Sequence, residues 1–165
     1  MKNKKGVSLL ECFLVLSIIV ILSTFTVPSI QKLYRTYKFN EYAFKLESLV
    51  RWAKITAIEK GINVSICVSE RNILVYNETT SRDPSCSGNV LKVLKITDDW
   101  IDSNIKVSLN NIKVSLNKAG LMFDPRGLAI FGGNVCISDG SRYYKVVLQS
   151  GRGAITIKSG EGGCS

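Results

Sequence analysis

The chain has 165 residues, a net charge of +9 at neutral pH and no histidine. That length holds a domain with a core beside an extended segment. The missing histidine excludes Ser-His-Asp and Cys-His catalysis and histidine metal sites. No P-loop, glycine-rich dinucleotide turn or paired-carboxylate motif stands in their place, so neither an enzyme nor a bound metal or cofactor is expected.

The first six residues, Met1 to Gly6, are basic and end in glycine. Val7 to Val27 then runs 21 residues with Glu11 as its one charge, and Pro28 closes it. At 1.5 Å per residue the run reaches about 31 Å, against a bilayer core of about 30 Å. A secretory signal peptide fits less well. Its apolar core is about 7–15 residues long and ends at a small-x-small site, for which only Thr24-Phe25-Thr26 is available here. An acid at a bilayer centre costs roughly 2.5–3.5 kcal/mol, so Glu11 calls for a compensating partner. Lysine or arginine lies on both sides of the run (Lys2, Lys4 and Lys5; Lys32, Arg35 and Lys38), so charge does not fix its orientation.

From Ser29 to Lys60 breakers are few. Leu46, Leu49, Val50, Ala53 and Ala57 form one apolar stripe at helical spacing. Pro28 is expected to bend the helix without ending it, and Gly61 suits its stop. The period then changes to two. Ile62, Val64, Ile66 and Val68 alternate with polar residues as in a half-buried strand. Strands follow at Ile73–Tyr76 and Val90–Ile96, separated by a loop from Thr79 to Asn89. Ile105 to Asn110 is repeated word for word at Ile112 to Asn117, which reads as a hairpin or a duplicated edge strand. Further short strands are predicted at Leu121–Phe123, Leu128–Phe131 and Asn134–Ser138. Asp139-Gly140 marks a hairpin into Tyr143–Gln149, and Ser150-Gly151-Arg152-Gly153 turns the chain into Ala154–Lys158. Asp98, Asp99 and Asp102 form the one acidic cluster. They lack the spaced oxygen ligands of a calcium loop and read as a solvated turn.

Lys5-Gly6 followed by Val7-Ser8-Leu9-Leu10-Glu11, the apolar helix and Pro28 resembles the leader and membrane helix of type IV pilins and type II secretion pseudopilins. Phe123-Asp124-Pro125-Arg126-Gly127, then a strand, a cysteine, a glycine hairpin and Gly151-Arg152, is similar to the GspH/FimT branch of their minor subunits. The resemblance implies a leader at 1–6, cleaved by a prepilin peptidase between Gly6 and Val7, with Val7 N-methylated. It implies a transmembrane and fibre-core helix at 7–28, with Glu11 and Pro28 as its assembly residues. An amphipathic helix at 29–60 and a β-rich head at 61–165 would follow. Two positions depart from the family pattern, since phenylalanine is usual at Val7 and an aliphatic residue at Cys12. The expected fold is therefore α+β: a long N-terminal transmembrane and amphipathic helix followed by a β-rich antiparallel globular head.

The expected localisation is the bacterial inner membrane, single-pass, with the head in the periplasm and the subunit assembled into a pilus or pseudopilus. The expected partners are other pilins or pseudopilins, the peptidase and the membrane. Cys12 falls in the apolar run and reads as a small apolar residue. Cys67, Cys86, Cys136 and Cys164 fall in the exported part, where disulfides are the default. Four cysteines allow three connectivities. Cys67–Cys86 and Cys136–Cys164 are favoured, the first closing a short segment around one hairpin and the second tying the tail to a strand. Each would contribute about 3 kcal/mol by loop closure.

Three roles are open within the branch. One is a minor pilin that initiates or caps a type IV pilus, favoured by the basic head and the disulfides. Another is a pseudopilin of the type II secretion tip. The third is a DNA-binding minor pilin. The leader holds three lysines, so the mature chain carries +6, and the part exposed without Glu11 carries +7. Some relatives bind DNA through a Gly-Arg-x-Arg turn. Gly151-Arg152-Gly153-Ala154 keeps the first arginine and has alanine for the second. With Arg142, Lys145 and Lys158 on the flanking strands, the expectation is weak DNA binding without sequence preference.

Overall fold

The computed structural model describes residues 8–69, 72–79, 84–96, 106–110 and 120–164, with 24–29, 31–32, 79 and 106–110 described through their backbone. Gly6 and Val7, Asp98, Asp99 and Asp102, and the second repeat at Ile112–Asn117 lie outside these residues. One α-helix, α1, runs Leu9–Lys60 and passes through Pro28 without ending there. The chain divides into two units, residues 1–37 and 38–165, with the boundary inside α1.

In the first unit the apolar side chains from Leu9 to Leu22 are exposed. Leu9 is 86% exposed, and Phe13, Leu16, Ile19 and Leu22 are exposed as well. Two serines turn back onto the helix. Ser17 Oγ donates to the Leu14 carbonyl and Ser23 Oγ to the Val20 carbonyl, both at 2.8 Å. Among the described residues no helix is long and apolar enough to cross a membrane. The side chains described without a break there run from Ser8 to Ser23, less than the Val7–Val27 run of the sequence.

In the second unit the C-terminal part of α1 lies in the core. Leu46, Leu49, Val50, Ala53 and Ala57 are buried, and the stripe continues upward through Tyr42, Ala43 and Phe39. Gly61 ends the helix in the left-handed region, φ +62°, which a residue with a Cβ adopts at a cost. The Ile62 amide then donates back to the Ala57 carbonyl and closes the last turn.

Among the described residues nine strands follow, in two antiparallel sheets. The five-stranded sheet has the order β3-β2-β1-β5-β6, from β1 (Asn63–Ser69), β2 (Asn72–Thr79), β3 (Asn89–Lys95), β5 (Leu121–Phe123) and β6 (Ala129–Phe131). The four-stranded sheet has the order β4-β7-β8-β9, from β4 (Lys106–Asn110), β7 (Gly133–Ser138), β8 (Arg142–Leu148) and β9 (Ile155–Glu161). Val64, Ile66, Ile73, Val75, Leu121 and Phe123 of the first sheet join Val135, Ile137, Val146 and Leu148 of the second and the helical stripe in one buried cluster.

Several elements differ from the sequence reading. β1 is buried on both faces instead of one, because Asn63, Ser65 and Cys67 are covered as well as Val64 and Ile66. Cys67 is joined to Cys86, which brings the segment after Pro84 against that face. β6 begins at Ala129 and not at Leu128, since the Leu128 amide is taken by the Asp124 carboxylate at 2.8 Å. β9 continues to Glu161, paired with Arg142, so the last hairpin is longer than Ala154–Lys158. The first repeat, from Lys106, is an edge strand on β7. A second disulfide joins Cys136 of β7 to Cys164, the Gly162 amide donates to the Ser141 carbonyl at 2.8 Å, and Ser138 Oγ donates to the Gly162 carbonyl at 3.3 Å, so the tail is fastened by more than the disulfide.

Candidate functional site

Two parts of the chain carry groups whose placement calls for explanation. The first is Glu11, in the first turn of α1. An acid there complements the helix dipole. Among the described residues no ion pair or side-chain hydrogen bond engages its carboxylate.

The second is a pair of turns in the head. In Asp124-Pro125-Arg126-Gly127 the buried Asp124 carboxylate is the organiser. Its Oδ1 accepts from the amides of Arg126 (2.9 Å) and Leu128 (2.8 Å), and its Oδ2 from the Arg126 guanidinium at 2.9 Å. Burial pushes its pKa upward, but the Leu128 and Arg126 hydrogen bonds and the Arg126 charge outweigh it and hold the carboxyl below its ordinary value. Gly127 has φ +75°, and a Cβ there would stand 2.7 Å from Ile58 of α1. The positive φ is what calls for glycine here, since the Ile58 side chain could shift to make room.

This turn meets the Arg152 turn. The Gly151 amide donates to the Ala129 carbonyl at 2.8 Å, and the Ala129 amide to the Arg152 carbonyl at 3.0 Å. Ser150 Oγ donates to the Ile130 carbonyl at 2.8 Å, and Lys54 Nζ of α1 to the Gly153 carbonyl at 2.8 Å. The turn that carries Arg152 is therefore fixed from two elements, β6 and α1, while Arg152 itself is exposed.

The other cations do not converge on it. Lys145 and Lys158 are paired directly across β8 and β9. Arg142 is three residues from Lys145 on the same strand, and so on the opposite face. There it binds Asp139 Oδ2 at 2.8 Å and lies 4.6 Å over the Phe39 ring. Six residues of strand, about 20 Å, separate Arg142 from the Arg152 end of β8. Arg142 thus serves the Asp139 hairpin and the core.

Position in sequence also gave no sign of a tie between β8 and α1. Tyr144 Oη donates to Glu47 Oε2 at 2.7 Å. Burial, with the Glu47 hydrogen bond and charge, pushes the Tyr144 phenol up to about 12. The same bond, with Arg51 beside it, holds Glu47 below the ordinary carboxylate value.

The family model described as Type II transport protein GspH matches residues 43–152. The chain belongs to the GspH family. The match runs from the buried stripe of α1 to the Arg152 turn, so β9 and the Cys164 tail lie beyond it. Two crystal structures of the type IV minor pilin FimU of Pseudomonas aeruginosa are similar to this GspH-family chain. They are 15% and 16% identical to it, with TM-scores of 0.47 and 0.46. Each covers 72% of this chain, which in turn covers 91% and 87% of theirs. No curated protein matches the chain.

The paired turns give a prediction. Asp124→Ala leaves two backbone amides without their acceptor and should lower the unfolding free energy by about 2 kcal/mol. Asp124 titrates lower in the folded state than in the unfolded one. Its contribution is therefore present above the ordinary carboxylate pKa, about 4, and is lost as pH falls through the folded value. Urea unfolding of the full chain in detergent at pH 7 and pH 3 checks this. The gap between variant and wild type should narrow at pH 3.

Proposed function

We propose that this GspH-family chain is a minor pilin or pseudopilin that a prepilin peptidase cleaves between Gly6 and Val7, with Val7 then N-methylated. It would help to initiate or cap a type IV pilus. The observation that carries the proposal is the N-terminal part of α1, a helix exposed and apolar on all sides from Leu9 to Leu22 with Glu11 as its one charge. A soluble protein leaves no such surface in water. It suits a helix held first in the inner membrane, with the head in the periplasm, and then among the helices of neighbouring subunits. Family membership implies assembly with other pilins, and Glu11 is the group whose burial would demand a cation from one of them. The paired turns at Asp124 and Arg152 would be structural parts of the head.

Processing is the direct test. A bulkier residue at the end of the leader would not fit the peptidase. Gly6→Val should therefore keep Met1–Gly6 attached, whereas the wild-type chain begins at Val7 with one added methyl group. Intact-mass measurement on protein from cells that contain the peptidase reads both. A wild-type mass that still includes Met1–Gly6 would refute the leader assignment.

A further inference from the structure

We propose that Pro84–Gly88 is a redox-operated clasp that locks the edge strand β3 onto the head. The segment leads straight into β3 at Asn89, and it is held from three sides. Cys86 is joined to Cys67 of the central strand β1, with Cα atoms 6.1 Å apart. Ser85 Oγ donates to Glu78 Oε2 of β2 at 3.1 Å, and Ser65 Oγ of β1 donates to Glu78 Oε1 at 2.6 Å. Gly88 lies so close to Asn77 that a Cβ would stand 2.0 Å from the Asn77 carbonyl oxygen.

Two of these features favour opening. Cys86 has φ +55°, and among the described residues it is the one non-glycine residue in the left-handed region. That backbone is strained for a side chain, and the cross-link holds it in place. Glu78 is a buried carboxylate whose partners among the described residues are two serine hydroxyls, with no cation. Burial of a carboxylate is unfavourable, and Ser85 of the clasp supplies one of the hydrogen bonds that offset it, so water would take that place once Ser85 left. The latch is the disulfide.

The strand it secures has few other attachments. Among the described residues β3 pairs with β2 and with no other strand, and Val90 is 50% and Val93 39% exposed. Leu91 and Leu94 pack at the margin of the core, and Lys92 lies 4.7 Å over the Trp52 ring. Release of its first residues would leave the β2 edge with open amides and carbonyls, a template for strand addition. The second disulfide differs in this respect. Cys136 is on β7, which is paired on both sides, and Cys164 is in the tail.

The opening step is thiol–disulfide exchange with a dithiol. Its thiolate attacks one sulfur of Cys67–Cys86 and forms a mixed disulfide, which its second thiol then displaces. Cys67 and Cys86 each end as a thiol with one proton, and the dithiol ends as a disulfide.

Amide hydrogen exchange on the full chain in detergent, oxidised and then reduced with dithiothreitol, tests the clasp. Protection in residues 72–79 and 89–95 should fall about tenfold or more, while residues 42–57 and 142–148 keep theirs. The variant with Cys136→Ser and Cys164→Ser should respond to the reductant in the same way. The variant with Cys67→Ser and Cys86→Ser should show the open pattern without reductant. Unchanged protection in β3 after both Cys67 and Cys86 have become alkylatable would overturn the proposal. So would an equal loss across both sheets, which would make the bond a global staple.

Discussion

If the chain is the fibre subunit proposed above, Glu11→Ala is expected to leave it in the membrane but to cut its co-purification with the other subunits to about a tenth or less of wild type. Glu11 is the one charge in the apolar run and has no side-chain ion pair among the described residues. On its own in the membrane it raises the cost of insertion, so alanine should insert at least as well. In a fibre the balance reverses. An acid placed among apolar helices is tolerated where a cation meets it, and removing it leaves that cation unpaired. Glu11→Gln separates charge from size, since it keeps the length and the hydrogen-bonding capacity but not the ion pair. It should assemble as poorly as alanine. Membrane fractionation and affinity co-purification from one culture measure the two steps separately. Normal co-purification of both variants would remove Glu11 from assembly.

The order of elements was largely legible because the period of the apolar residues changes at Gly61. The stripe from Leu46 to Ala57 repeats at helical spacing, and all five residues are buried on that face. Alternation placed β1, and flanking turn residues placed β5 and β7. The sequence did not show how the strands divide between two sheets, because each short strand reads alike whichever neighbour it pairs with. Nor did it show the ties that cross the fold. Lys54 reaches Gly153 across 99 residues, and Tyr144 reaches Glu47 across 97. No local pattern encodes such pairs.

Arg142 shows the same limit at short range. In sequence it is near Lys145, Arg152 and Lys158, and it reads as part of one basic surface. In a strand an odd separation reverses the face, and Asp139 three residues earlier supplies its partner. The pattern could have flagged Asp139 as a hairpin residue, but only the packing of β8 against α1 sets which face of the strand Phe39 meets. Glu78 is similar. It falls beyond the predicted strand Ile73–Tyr76, and it is buried here because β2 continues to Thr79 and the segment at Cys86 folds back over it.

Leu46→Ala should be the most damaging conservative change in the head. Leu46 is fully buried in the cluster that α1 and both sheets share. Its loss removes transfer free energy and leaves a cavity that three layers cannot all collapse into, for a cost of about 2–5 kcal/mol. Against a typical stability of about 5–15 kcal/mol, that is a large fraction. Leu46→Met, which nearly keeps the volume, should cost less than about 1.5 kcal/mol. Phe44 sits two residues away on the same helix, is larger and is 66% exposed. Phe44→Ala should therefore shift stability by no more than about 0.5 kcal/mol. Urea unfolding of the three variants, followed by tryptophan fluorescence of the full chain in detergent, gives the comparison. If Phe44→Ala proved as harmful as Leu46→Ala, α1 would bury a different face from the one described. If all three matched wild type, the helix would contribute little to the core, and the two sheets would have to hold the head together by themselves.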